Sequence, residues 1–217
     1  MANPKLLFSV LGDSISTFED CSATDGAYYT RAFSSYTGVT QPEETWWMQV
    51  IQKLGGTLLA NDSWSGSTVS AEGVMPACSS SRVRRLGPGG TAPDHILVYT
   101  GLNDVNLYLP PEHFRQDYEI MLNRLKAAYP EAIISCGTLA MGYLDQPPFS
   151  PPLYFKKRAQ EYNDLIREAV QAAGCTLVDL AASGEDYPTV DGLHPNKRGM
   201  ARLAALWLAA MGHTTPD

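Results

Sequence analysis

Leu6-Leu7-Phe8-Ser9-Val10-Leu11-Gly12-Asp13-Ser14 is an apolar run that stops in a glycine turn carrying an aspartate and a serine. A run this short, closed by a turn, reads as a strand buried on both faces, as a parallel sheet requires. Glycine permits a sharp turn there, so Ser14 leaves the sheet at its carboxyl edge. Similar runs at 57–61, 94–100, 131–137 and 175–180 join 5–11 to give five strands. Segments of helical period lie between them. Residues 44–54 end at Gly55-Gly56, 111–129 open with Pro111 and stop before Pro130, and 153–173 and 196–212 complete the set. In the last, Ala201, Leu203, Ala204, Leu206, Trp207, Leu208 and Met211 form a broad apolar face suited to docking on a sheet. This alternation predicts an α/β fold with a parallel sheet covered on both sides.

The chain has 217 residues, 44% hydrophobic and 18% charged, enough for one core and one domain over 1–217. Its formal charge of -7 repels phosphate backbones and anionic lipid, so nucleic acid is not an expected partner. The run after Met1-Ala2-Asn3-Pro4-Lys5 is too short for a signal peptide or a membrane span, and the expected location is cytoplasmic. Cys21, Cys78, Cys136 and Cys175 are scattered, without a Cys-x-x-Cys pair or a histidine at zinc spacing. They read as reduced thiols, and no metal is expected.

Two stretches break the alternation. Residues 15–43 and 139–152 are too long for simple connections, and each follows the carboxyl end of a strand, where open parallel sheets bind ligands. The first carries Tyr28, Tyr29, Phe33 and Tyr36 and the second Pro147-Pro148-Phe149-Ser150-Pro151-Pro152; both read as pocket walls or lids.

A serine hydroxyl is a weak nucleophile at neutral pH and needs a base, usually a histidine oriented by a carboxylate. Among four histidines, His95 begins a strand, His113 lies in the first turn of a helix and His213 is in the tail. His194 sits in Asp191-Gly192-Leu193-His194-Pro195 between the last strand and the last helix, where one turn brings the Asp191 carboxylate to its Nδ1. An acyl-transfer site also needs donors for the tetrahedral oxyanion. Asn61-Asp62-Ser63-Trp64-Ser65-Gly66-Ser67 and Thr100-Gly101-Leu102-Asn103-Asp104 offer them: Gly66 lets its backbone N–H come close, and Asn103 carries a neutral amide. Singly, each of these motifs is more often a turn or a helix cap.

Taken together, Gly12-Asp13-Ser14, Gly66, Gly101-x-Asn103-Asp104 and Asp191-x-x-His194-Pro195 resemble, in order and spacing, the four blocks of the SGNH hydrolases, the GDSL-type esterases. The resemblance implies a flavodoxin-like three-layer α/β/α sandwich with a central, mainly five-stranded parallel sheet, and ester hydrolysis without a cofactor. It makes Ser14 the nucleophile and an oxyanion donor through its N–H, Gly66 and Asn103 the other donors, His194 the base and Asp191 its orienter. Isoleucine follows the serine here where leucine is usual, and 15–43 is longer than the family needs.

Asp13, beside the nucleophile, is expected to point away and brace backbone. The implied reaction is hydrolysis of a short-acyl ester of a small molecule or carbohydrate, with a lysophospholipase or thioesterase as the alternative. Trp64, Tyr28 and Tyr29 are candidates to bind the substrate. Two rivals from other classes are a metal-dependent phosphoesterase using Asp13, Asp104, Asp191 and His194, and a flavodoxin-like binding module without catalysis. The first leaves Ser14 and Asn103 unexplained, and the second has no need of a serine, histidine and aspartate set.

Overall fold

The computed structural model describes residues 5–145, 148–149 and 153–213. In chain order the elements are β1 (Leu7–Gly12), α1 (Ser34–Thr37), α2 (Trp46–Lys53), β2 (Thr57–Ser63), α3 (Ser80–Arg85), β3 (His95–Tyr99), α4 (Leu102–Asn106) and α5 (Pro111–Ala128). There follow β4 (Ile133–Gly137), β5 (Gly142–Asp145), β6 (Pro148–Phe149), α6 (Leu153–Ala173), β7 (Thr176–Val178), β8 (Tyr187–Thr189) and α7 (Lys197–Ala210).

Five of the strands form one sheet in the order β2-β1-β3-β4-β7, with every pairing parallel. This is the doubly wound flavodoxin order. The chain leaves β1 toward one neighbour and reaches β3 on the other side, so a crevice opens beyond the carboxyl ends of β1 and β3.

Alternate side chains choose between the two helical layers. Ser9 hydrogen-bonds the Leu86 carbonyl just after α3. Tyr99 meets Trp46 of α2 and Trp207 of α7 edge-on, and those two indoles stack at 4.7 Å. At Gly137 a Cβ would come within 2.7 Å of Trp207, so glycine is what lets α7 lie this close to β4. Both Trp46 and Trp47 are fully buried, because α2 is wedged between the sheet and α7. Caps set the helix starts: Thr45 accepts from the Met48 N–H, Ser79 from Arg82 and Asn196 from Gly199.

The two long stretches are more ordered than simple loops. Residues 15–43 contain short 3-10 turns and α1. The second stretch contributes β5 and β6, which with β8 make a small sheet in the order β6-β5-β8. Residues 146–147 and 150–152 of that stretch lie outside the described residues. The small sheet abuts the loop between β8 and α7, and Thr189 Oγ1 donates to the Tyr143 carbonyl. The four cysteines are free, and no described helix is long and apolar enough to cross a membrane.

Candidate active site

The turn after β1 is held by close packing at Gly12 and by the bonds of Asp13, Thr17 and Asn61. At Gly12 a Cβ would meet Ser16 at 2.7 Å and Ser63 at 2.9 Å, so only glycine fits between β1, β2 and the turn. Ser14–Ser16 form one 3-10 turn capped by Asp13, whose Oδ1 accepts from the Ile15 N–H at 3.0 Å. Thr17 Oγ1 donates to the Ser14 carbonyl, and Asn61 Nδ2 to that of Ser16. Ser14 itself is buried, at 6% exposed. Burial pushes the Asp13 carboxyl up to about 7, although its bond from Ile15 and the neighbouring His194 act the other way.

The far end of the chain supplies the partner. Ser14 Oγ lies 2.8 Å from His194 Nε2, and His194 Nδ1 lies 2.7 Å from Asp191 Oδ2. Asp191 Oδ1 meanwhile accepts the backbone N–H groups of Leu193 and His194 at 3.0 and 2.7 Å, folding the loop around its own carboxylate. Partial burial raises this carboxyl, but the bonds from His194 and Leu193 outweigh it and hold Asp191 well below the usual carboxylate range. The other described histidines are elsewhere: His95 stacks on Phe8, His113 sits beside Glu72, and His213 follows α7, its N–H donating to the Leu208 carbonyl.

The two glycine-bearing segments are tied to each other. Asn103 Nδ2 donates to the Ser67 carbonyl at 2.8 Å and keeps a second N–H. Gly66 has φ +75°, which favours glycine, and a Cβ there would meet nothing within 4 Å. Asp104, fully buried, accepts from the Val69 and Ser70 N–H groups at 2.8 and 2.9 Å, pinning the segment after Gly66 to α4. Asp13 and Asp104 are thus both bonded to backbone N–H groups. Among the described residues no cluster of three His, Cys, Asp or Glu is arranged to hold a metal.

Beneath these segments lies a pair that the sequence reading did not single out. Arg82, fully buried, gives each of its five guanidinium N–H groups an acceptor: Asp62 Oδ2, Ser67 Oγ at 2.7 Å, and the carbonyls of Met75, Asp62 and Gly12, the last at 3.1 Å. One cation therefore joins the end of β1, the end of β2 and the loop after Gly66. The sequence signal was slight: Ser79-x-x-Arg82 is a helix start, and only Asp62 at the end of a strand hints at a buried counterion.

The three expected substrate contacts fare differently. Tyr28 reaches the site, with its ring stacked on His194 at 3.6 Å and its hydroxyl donating to Asp191 Oδ2 at 3.0 Å. Tyr29 does not: it is fully buried, and its hydroxyl donates to the Pro195 carbonyl. The expected pocket contact is therefore in the core instead, its ring edge-on to that of Tyr28 at 5.1 Å. Trp64 is engaged on the α3 side, where its Nε1 donates to Asp62 at 3.2 Å and the Arg85 guanidinium lies over its ring.

The profile of the GDSL-like Lipase/Acylhydrolase family matches residues 10–202, from within β1 to within α7. The chain belongs to that family. It is a GDSL-type hydrolase of ester bonds. Solved structures share this GDSL fold over nearly the whole chain. A putative GDSL-like lipase from Bacteroides ovatus has a TM-score of 0.74 at 23% identity, covering 98% of this chain and 100% of the other. One from Bacteroides uniformis gives 0.70 at 26% identity, with 97% of each chain covered. A Corynascus thermopiles enzyme of carbohydrate esterase family 2, which carries an additional carbohydrate-binding domain, gives 0.65 at 20% identity over 98% of this chain and 68% of its own. A sequence comparison with curated proteins gave no match.

Proposed function

We propose that this GDSL hydrolase cleaves short-acyl esters through an acyl-enzyme on Ser14. The observation that carries the reading is the unbroken relay from Ser14 Oγ to His194 Nε2 at 2.8 Å and from His194 Nδ1 to Asp191 at 2.7 Å. Ser14 Oγ attacks the ester carbonyl carbon while His194 takes its proton, and the carbonyl oxygen becomes an oxyanion. The Ser14 and Gly66 N–H groups and the free N–H of Asn103 receive that charge. Collapse of the tetrahedral intermediate breaks the bond to the alcohol oxygen, which leaves with the proton from His194. Water then repeats the sequence at the acyl carbon, giving up a proton to His194, and Ser14 is released with the carboxylic acid.

The alcohol leaves on the His194 side, and the aromatic residues of the 15–43 stretch lie there. Phe33 packs edge-on against Tyr28 at 5.7 Å and Tyr36 against Phe33 at 5.0 Å; both are substantially exposed, at 42% and 51%. Exposed rings beside the leaving group support an alcohol with an apolar face, such as a sugar ring, more than a long acyl chain.

Labelling with a fluorophosphonate, followed by peptide mapping, tests the nucleophile. Wild type is modified at Ser14, and Ser14→Ala is neither modified nor active on p-nitrophenyl acetate; turnover unchanged in that variant overturns the reading. A panel of p-nitrophenyl esters of rising acyl length, then acetylated sugars, tests the substrate class. Rates that climb with chain length would favour a lysophospholipase or thioesterase instead.

A further inference from the structure

Tyr28 touches two members of the proposed relay, His194 and Asp191, and reaches the third, Ser14, through Thr17. Its ring lies on the His194 imidazole with centroids 3.6 Å apart and planes within 9°. Its hydroxyl donates to Asp191 Oδ2, the same oxygen that faces His194 Nδ1. Its backbone N–H donates to Thr17 Oγ1, whose own hydroxyl donates to the Ser14 carbonyl. Tyr29 and Phe33 stand edge-on to the Tyr28 ring at 5.1 and 5.7 Å and fix its plane.

We propose that Tyr28 is a positioning residue for the Asp191–His194 pair, aiming the imidazole at Ser14 and tempering the carboxylate behind it, and not a contact for substrate. The inference rests on the acyl-enzyme reading above. Stacking restrains the imidazole from rotating out of the plane that points Nε2 at Ser14 Oγ. The hydroxyl and the ring also act on the protonated imidazole with opposite signs. A donor on Oδ2 spreads the carboxylate charge and weakens its hold on the imidazolium proton. The ring face attracts the cation and strengthens that hold. Other groups facing His194 are Ser14 and the Asp13 carboxyl from the turn after β1, and Asp191 from its own loop.

The two contributions separate in two variants. Tyr28→Phe keeps the ring and loses the hydroxyl; Tyr28→Leu loses both. With p-nitrophenyl acetate, Tyr28→Phe is expected to lower kcat several-fold with KM within twofold, and to move the acid limb of the kcat/KM profile upward. Tyr28→Leu is expected to lose tenfold or more in kcat, with its acid limb below that of Tyr28→Phe. A rise in KM with kcat and the limb unchanged would make Tyr28 a substrate contact and overturn the proposal. So would a lower Tm with wild-type kcat, KM and pH profile, which would leave a purely structural brace. Fluorophosphonate labelling keeps the two readings apart: Ser14 labelled with both limbs unmoved removes only the role of Tyr28, whereas wild type unlabelled at Ser14 removes the relay and that role with it. If Tyr28→Leu does not fold, Tyr28→Phe alone decides the result.

Discussion

Replacing Arg82 by methionine keeps most of the side-chain volume and removes the cation at the centre of the network under the site. Asp62, 1% exposed, would then keep the Trp64 Nε1 donor and, as its one charged partner, Arg85, whose Nε is 2.9 Å away and whose side chain is 41% exposed. Removing one partner of a buried ion pair typically costs about 3–5 kcal/mol, because the charge left behind is desolvated without compensation. Arg85 places this case at the lower end. Two of the abandoned acceptors retain another donor, since Trp64 N–H reaches the Gly12 carbonyl and Ser67 Oγ the Met75 carbonyl. A loss of about 3 kcal/mol lowers Tm by roughly 6–12 °C in a chain of this size. Calorimetry on Arg82→Met and on Arg82→Met/Asp62→Leu checks it, because the double variant removes both charges and should recover more than half of the loss. A single variant within 2 °C of wild type, on the scale of roughly 2–4 °C per kcal/mol, would refute the view that this pair holds the turn and the Gly66 loop together.

Asp13 gives a pH dependence. Its carboxyl is raised from 3.8 to about 7 in the folded protein, so its contribution to stability is complete below pH about 4 and is lost as pH rises through about 7. Asp13→Asn keeps the acceptor for Ile15 and should gain Tm relative to wild type between pH 4 and 8, by at most about 4 kcal/mol in stability; a constant difference across that range rejects it. Gly66→Ala meets no atom within 4 Å but must hold φ +75°, at a cost of about 1–2 kcal/mol. Tm should fall by a few degrees and kcat by tenfold or more as the peptide N–H is turned, and wild-type kcat would show that this N–H does not meet the oxyanion.

The main strands and helices could be read from sequence because their apolar period follows directly from burial on a sheet. Bounds for α6 coincide with the expected 153–173, and those of β1 shift by only one or two residues. The small second sheet was not legible. Tyr187–Thr189 is three residues with a proline at its centre, too short to show any alternation, and it exists because α7 begins against it: a Cβ at Gly199 would overlap the Pro188 carbonyl. Ser14, Asp191 and His194 could be selected because few histidines were available and only one had an acid at turn spacing. Tyr28 and Tyr29 could not be told apart, since both are tyrosines in one irregular segment and only the tertiary packing decides which faces the cleft. Arg82 was hidden for a related reason. A buried arginine looks like a surface arginine until its five acceptors, drawn from three separate segments, are brought together.

One nine-residue stretch holds the loop that carries the imidazole at three points. Tyr28, Tyr29 and Tyr36 hydroxyls grip Asp191, the Pro195 carbonyl and the Val190 carbonyl, across sequence separations of 163, 166 and 154 residues. Contacts of such long range carry the loop-closure cost of the whole intervening chain and slow folding. On the proposed relay, a chain in which these contacts have not formed lacks its base even with its serine turn in place. That relay requires the two ends of the fold to have met, which would make activity itself a report that the fold has closed.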